Sequence, residues 1–210
     1  MPRLAQGLAF VFAILVAVSG PFAGSARAAD PSVKDMLADK VMGSPDAPVT
    51  MIEYASLNCP HCARFHEETL PAIKKAYLDT GKVRLVFRDF PLSNRALAAS
   101  MVARCAGPVR YFALVALFFR EQLDWIQAPD GLAALKKVAK QVGMSADQVD
   151  ACVRNDDLKQ GLRKVADEAG QKQGVDSTPT FFIDGEKLEG EQPFKNFQDV
   201  IDRALSKKKK

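Results

Sequence analysis

Cys59-Pro60-His61-Cys62 sets two thiols two residues apart, with a proline and an imidazole between them. Such a pair can open and close as a disulfide, or it can offer two soft ligands to a metal. Zinc wants about four ligands, and this motif supplies two. His61 and His66 are the only histidines, and Cys105 and Cys152 show no paired spacing. Thiol–disulfide chemistry is therefore the expected use, with an inert bridge across the four residues as the alternative.

That chemistry depends on what positions the pair. Val49–Ala55 (VTMIEYA), preceded by Pro45 and Pro48, predicts a strand, and an apolar helical pattern runs from Pro60 to about Thr80. Cys59 then sits where a strand ends and a helix begins. Unpaired N–H groups and the helix dipole stabilise a thiolate there, while Cys62 lies one turn further along. His61 can add to the effect through its N–H groups or its positive charge. A more stable thiolate makes the disulfide the stronger oxidant. Pro60 suits a first turn, and Pro71 should kink or restart the helix.

Further along, Val83–Phe90 predicts a second strand, and residues from Ser93 to about Gln173 read as successive helices. Their apolar stripes cover Ala96–Cys105, Phe112–Trp125, Leu132–Val142 and Val149–Ala169. Thr180–Ile183, the turn Asp184-Gly185 and Lys187–Glu189 predict a hairpin, and Phe194–Leu205 an amphipathic helix. A βαβ start and a ββα finish imply an α/β fold with a mixed sheet flanked by helices. The helices between them are too many for an ordinary crossover, so they read as an inserted helical subdomain over about 93–165.

The chain has 210 residues, 48% of them hydrophobic, enough for one sizeable core. Arg3, the apolar Leu8–Ser19, the breakers Pro21 and Gly24, and Ala26-Arg27-Ala28 read as an export signal. The apolar run is shorter than the roughly 20 residues that span a bilayer. The expectation is a signal peptide over 1–28 and a single domain over 29–210, a retained anchor being the alternative. Without Arg3 and Arg27 the formal charge of +4 falls to +2, and Lys207–Lys210 carry four positive charges, leaving the body near −2. The basicity belongs to the ends, and no nucleic-acid partner is indicated. Export also means an oxidising compartment, where cysteines keep disulfides. The four cysteines permit three full pairings.

The stretch MIEYASLNCPHC, residues 51–62, resembles the active-site segment of DsbA-like periplasmic thiol:disulfide oxidoreductases of the thioredoxin superfamily. GVDSTPTFFIDGEKLEG, residues 174–190, resembles that family's cis-proline loop and hairpin, MGSPDAPVT its approach, and the helical block its insertion. The resemblance implies a thioredoxin fold. It makes Cys59 the nucleophile of mixed disulfides, Cys62 the buried resolving thiol, and Pro60 and His61 the dipeptide of strongly oxidising members. Pro179 becomes the cis-proline, with Thr178 before it, and their backbone takes substrate as an added strand.

Glu53 shares a strand face with Met51 and Ala55. It points either to solvent or beneath the disulfide; the resemblance favours the second, where it would influence proton transfer with Cys62. Glu67 and Glu68 read as exposed helix residues. Cys105 and Cys152 are either two packed thiols or, in an oxidising compartment, one disulfide closing a loop, worth about 4 kcal/mol. Some DsbA-like proteins carry such a second pair.

The expected function is oxidation of reduced, unfolded exported proteins, with electrons passed to a DsbB-like quinone-linked membrane oxidase. No cofactor beyond the Cys59–Cys62 pair and no metal is expected. Thr178 departs from the valine usual in the best-known oxidases and is commoner in isomerase and reductase branches, which keeps those activities open. Residues 29–48 are too short for the isomerases' dimerisation domain, so a monomer is expected. A copper-handling thiolate protein is the remaining alternative, weakened by the scatter of Met36, Met42, Met51, Met101 and Met144.

Overall fold

The structure, a computed structural model, describes residues 31–208. The expected signal peptide and the end of the lysine run lie outside them. Among the described residues no helix is long and apolar enough to cross a membrane.

β2 (Val49–Ala55) and β3 (Val83–Asp89) form where β-branched and aromatic residues concentrate, and they pair in parallel with Glu53 opposite Phe87. A parallel pair needs a crossover, and the helix that starts at Pro60 supplies it. α2 (Pro60–Arg64) runs into a π turn (Phe65–Thr69), then α3 (Leu70–Ile73) and a second π turn (Lys74–Leu78). In the first π turn the Leu70 N–H bonds to the Phe65 carbonyl, five residues back. The helix thus widens just ahead of Pro71, which has no N–H to give, and continues.

β4 (Thr180–Ile183) pairs antiparallel with the other edge of β2, Glu53 facing Phe181. β5 (Glu186–Glu189) returns across Asp184 and Gly185, whose positive φ values of 50° and 92° suit a two-residue hairpin turn. The sheet order is β1-β3-β2-β4-β5. Two elements at its start were not foreseen: α1 (Val33–Leu37) and the edge strand β1 (Lys40–Met42), antiparallel to β3. Three residues are too few to display an alternating pattern.

One sheet face is covered by the Pro60 helix and by α10 (Phe194–Lys208), which bury Met51, Phe65, Ile73, Phe181 and Phe197 together. Between β3 and β4 lie six helices: α4 (Asn94–Cys105), α5 (Tyr111–Arg120), α6 (Gln122–Gln127), α7 (Gly131–Lys140), α8 (Ala146–Val153) and α9 (Asp156–Gln173). Two apolar stripes read as continuous in the sequence are each two helices. Phe112–Trp125 breaks at Glu121, and Val149–Ala169 breaks at Asn155, whose side chain accepts the Leu158 N–H and starts α9. The boundary expected near residue 165 falls inside α9, because the end of that helix packs Ala169 against Tyr54 of the sheet.

Cys105 of α4 and Cys152 of α8 form a disulfide within the helical block, 47 residues apart in sequence. Arg104 and Asp89 form a buried ion pair at 2.7 Å, and Arg104 also donates to the carbonyls of Met36 and Ala38. That one guanidinium ties the end of β3, the insertion and the N-terminal segment together.

Candidate active site at the start of the Pro60 helix

Cys59 stands between strand and helix with an extended backbone (φ −86°, ψ 120°), and its carbonyl accepts the Ala63 N–H at 3.2 Å. Pro60 occupies the first helical turn, where its missing N–H costs nothing. The loop is fastened from several sides. The Cys59 N–H donates to the Ser56 carbonyl, the Leu92 N–H donates to Ser56 Oγ, and Asn58 Nδ2 donates to Ser93 Oγ. The buried Gln122 of α6 gives its Nε2 to both the Leu57 and the Cys59 carbonyls, at 2.8 and 3.0 Å.

Cys59 and Cys62 are free thiols in the structure, and their surroundings differentiate them. A hydrogen bond from the Cys62 thiol, with further donors from Thr178 and the N–H groups of Cys62 and His61, lowers Cys59 to about 5 in spite of its burial. Complete burial, its bond to Cys59 and the charges of Cys59 and Glu53 push Cys62 well above the usual thiol range. At neutral pH the pair is thus one thiolate and one thiol. The thiolate is the nucleophile of exchange chemistry, and the buried thiol holds the proton.

Thr178 faces this pair across a cis peptide to Pro179. A protonated Cys59 donates from Sγ to the Thr178 carbonyl at 3.2 Å. Thr178 Oγ1 is buried with no partner in that arrangement, so its proton can turn to the sulfur once the thiol ionises. The Pro179 carbonyl accepts the Gly190 N–H at 2.8 Å, which fastens the loop to the end of the hairpin.

His61 meets the sulfur through its backbone N–H, while its imidazole is turned away. Nδ1 lies 3.2 Å from Glu191 Oε2 and accepts from Arg64 Nη2 at 2.7 Å, on an exposed surface. Glu53 is the opposite case. It lies fully buried on β2, and both carboxylate oxygens meet His66 Nε2, at 3.0 and 3.1 Å. Glu67 and Glu68 are exposed. Three contributors escaped the sequence reading: Ser56, Gln122 and His66. A glutamine inside the Phe112–Trp125 stripe and a histidine one turn past Cys62 were visible, but neither says what it will face. Among the described residues no group of three or more Cys, His, Asp or Glu is placed to hold a metal ion.

A mixed sheet that presents a strand-to-helix Cys-x-x-Cys against a cis-proline is an arrangement of the thioredoxin class. Comparison with known proteins agrees. The thioredoxin family model matches residues 35–203. Wolbachia pipientis alpha-DsbA1 superposes with a TM-score of 0.76 at 33% identity, over 81% of this chain and 92% of that one. BdbD from Bacillus subtilis shares the fold, with a TM-score of 0.73 at 22% identity, over 84% and 96% of the two chains. A Rickettsia typhi protein named as a protein-disulfide oxidoreductase is 30% identical over 80% of this chain and 62% of its own length. The chain spans about three fifths of the length of such rickettsial relatives. It belongs to the thioredoxin superfamily, in its DsbA-like branch.

Proposed function

We propose that this chain is a dithiol oxidase acting in the periplasm on reduced, unfolded exported proteins. The observation that carries this reading is the split between the two thiols: Cys59 is lowered to about 5 beside a sealed Cys62 held above the ordinary range. An environment that stabilises the Cys59 thiolate stabilises the reduced pair, so the oxidised pair gives up its disulfide readily.

A substrate thiolate attacks Cys59 Sγ, the Cys59–Cys62 bond breaks, and Cys62 leaves and takes up a proton. The mixed disulfide at Cys59 is then attacked at the substrate sulfur by the substrate's second thiolate. A substrate disulfide forms, and Cys59 departs as the thiolate that its surroundings favour. Pro60 and His61 tune Cys59 by opening the helix there and aiming an N–H at the sulfur, and Glu53 serves the proton of Cys62. The backbone around Thr178 and Pro179 receives the substrate as an extended strand. A DsbB-like quinone-linked membrane oxidase restores the disulfide. The pair itself is the only redox group required, and a monomer suffices.

Equilibrating the protein with glutathione redox buffers and counting its free thiols tests the direction. A potential near or above that of the glutathione couple supports the oxidase. A value near that of thioredoxin, about −270 mV, overturns it in favour of a reductase. The unpartnered Thr178 hydroxyl supports a second reading, isomerase activity, because a donor at the sulfur eases release of Cys59 from a mixed disulfide. Reactivation of a scrambled disulfide protein would reveal it.

A further inference from the structure

The exchange above moves a proton onto Cys62 in one half of the cycle and off it in the other. Cys62 is 0% exposed and so is Glu53, so neither trades protons with water directly. We propose that His66 is the solvent-side end of a proton relay that serves Cys62 through Glu53; the inference rests on the exchange chemistry of Cys59 and Cys62.

Three observations carry it. His66 follows Cys62 by four residues on the same continuous helix, so the two share a face. Its Nε2 lies within hydrogen-bond reach of both Glu53 oxygens, which places the imidazole as the carboxylate's exit. The His66 side chain is 7% exposed against 0% for Glu53. Among the described residues its Nδ1 has no hydrogen-bond partner, yet it is not one of the sealed polar atoms left without one. One ring nitrogen thus meets the buried carboxylate, and the other is open to water.

The ring is packed among three aromatic side chains. It stacks on Phe119 with centroids 4.4 Å apart and meets Phe65 and Phe87 edge-on. These rings bring no charge. The titratable groups facing the relay are Glu53 from β2, Cys62 and Cys59 from the Pro60 helix, and Tyr111 from α5. Burial and neighbouring carboxylates hold Tyr111 well above its usual range, so it stays neutral and takes no part.

The proton count closes over a cycle. When Cys62 leaves as thiolate, the His66 Nε2–H proton passes through the Glu53 carboxylate to the sulfur, and Nδ1 takes one from water. When Cys62 is to attack the mixed disulfide on Cys59, its proton passes to Glu53 and on to Nε2. The Nδ1 proton returns to water, the Cys59–partner bond breaks, and the Cys59–Cys62 bond forms. Each half reverses the tautomer left by the other, so the ring never has to flip.

Single-turnover oxidation of the reduced protein by glutathione disulfide, quenched in acid and read by mass, separates two steps. Cys59 first forms a glutathione mixed disulfide, and Cys62 then closes it. In His66→Gln the first step is expected within about twofold of the unaltered protein, and closure about tenfold slower or more near pH 6.5. The gap should narrow toward pH 9, where hydroxide takes the proton, and added imidazole should recover part of the rate. His66→Phe, which keeps the stack but carries no proton, should behave alike. Closure at the unaltered rate in a folded variant overturns the relay, and so does an equal loss in both steps.

Should both variants fail to fold, the unaltered protein decides. The pH midpoint of the closure rate must match the titration midpoint of the His66 ring by NMR, identified against His61→Gln; separate midpoints overturn the relay. Failure of the exchange chemistry it rests on looks different, since no mixed disulfide would then form at Cys59, while a reducing potential would overturn the oxidase reading and leave the two-step test intact.

Discussion

Cys59 concentrates what this protein can do at the scale of one residue. Because its thiol is lowered to about 5, alkylation by iodoacetamide should be half-maximal near that pH, with Cys62 silent until far more alkaline conditions; a pH series read by mass checks this. The linkage has a definite sign. A depressed thiol contributes stability to the reduced protein above the ordinary thiol range and loses it as pH falls through about 5. The melting temperature of the reduced protein, relative to the oxidised one, should therefore decline from about pH 8 to below pH 5 and then level off. Thr178→Val removes a hydroxyl donor from the sulfur, so the alkylation midpoint should move up. The same change deletes a buried hydroxyl without a partner, so the melting temperature should hold or rise. The Cys59–Cys62 pair was legible as a candidate from its spacing, since a disulfide is a local event within one helical turn, and the resemblance supplied the two roles. His66 was not, because its role depends on a carboxylate that a neighbouring strand brings beneath the helix.

Among the elements, the Pro60 helix and α6 matter most to the site. The helix had to carry Pro71, and it does so by widening into a π turn instead of stopping. α6 has only six residues, yet its Gln122 holds two carbonyls of the active-site loop. Gln122→Leu leaves the buried Leu57 carbonyl unpaired, and the expected loss is about 1–3 kcal/mol in urea unfolding. Asn155→Ala should cost about 1 kcal/mol by removing the cap that separates α8 from α9. The strands β2, β3 and β4 were legible because their apolar runs are long and bounded by turn residues. The splits at Glu121 and Asn155 were hidden, since apolar periodicity carries on across a change of helix direction while the core on both sides stays apolar.

For the molecule as a whole, the question is what ties the inserted helices to the sheet that bears the catalytic strand. Arg104 does so through Asp89 and two N-terminal carbonyls, with both ion-pair partners almost fully buried. Arg104→Met leaves Asp89 as an uncompensated buried charge, and the expected cost is about 3–5 kcal/mol by equilibrium denaturation. The Cys105–Cys152 bond works within the insertion, joining α4 to α8. Replacing both cysteines by serine should lower stability by about 2–5 kcal/mol, checked by the same measurement under non-reducing conditions. The sequence by itself determined the candidate pair and its local stage: two thiols one turn apart, a strand before them, a proline to open the helix, and a hairpin behind Pro179. Those features depend on neighbours within a few residues, where backbone geometry and pattern suffice. Only the tertiary structure decided which side chains close around the thiols. Thr178 reaches Cys59 from 119 residues away and Gln122 reaches its carbonyl from 63, while Glu53 meets His66 across the sheet–helix interface. Such contacts are set by how whole elements stack, and no local pattern encodes them.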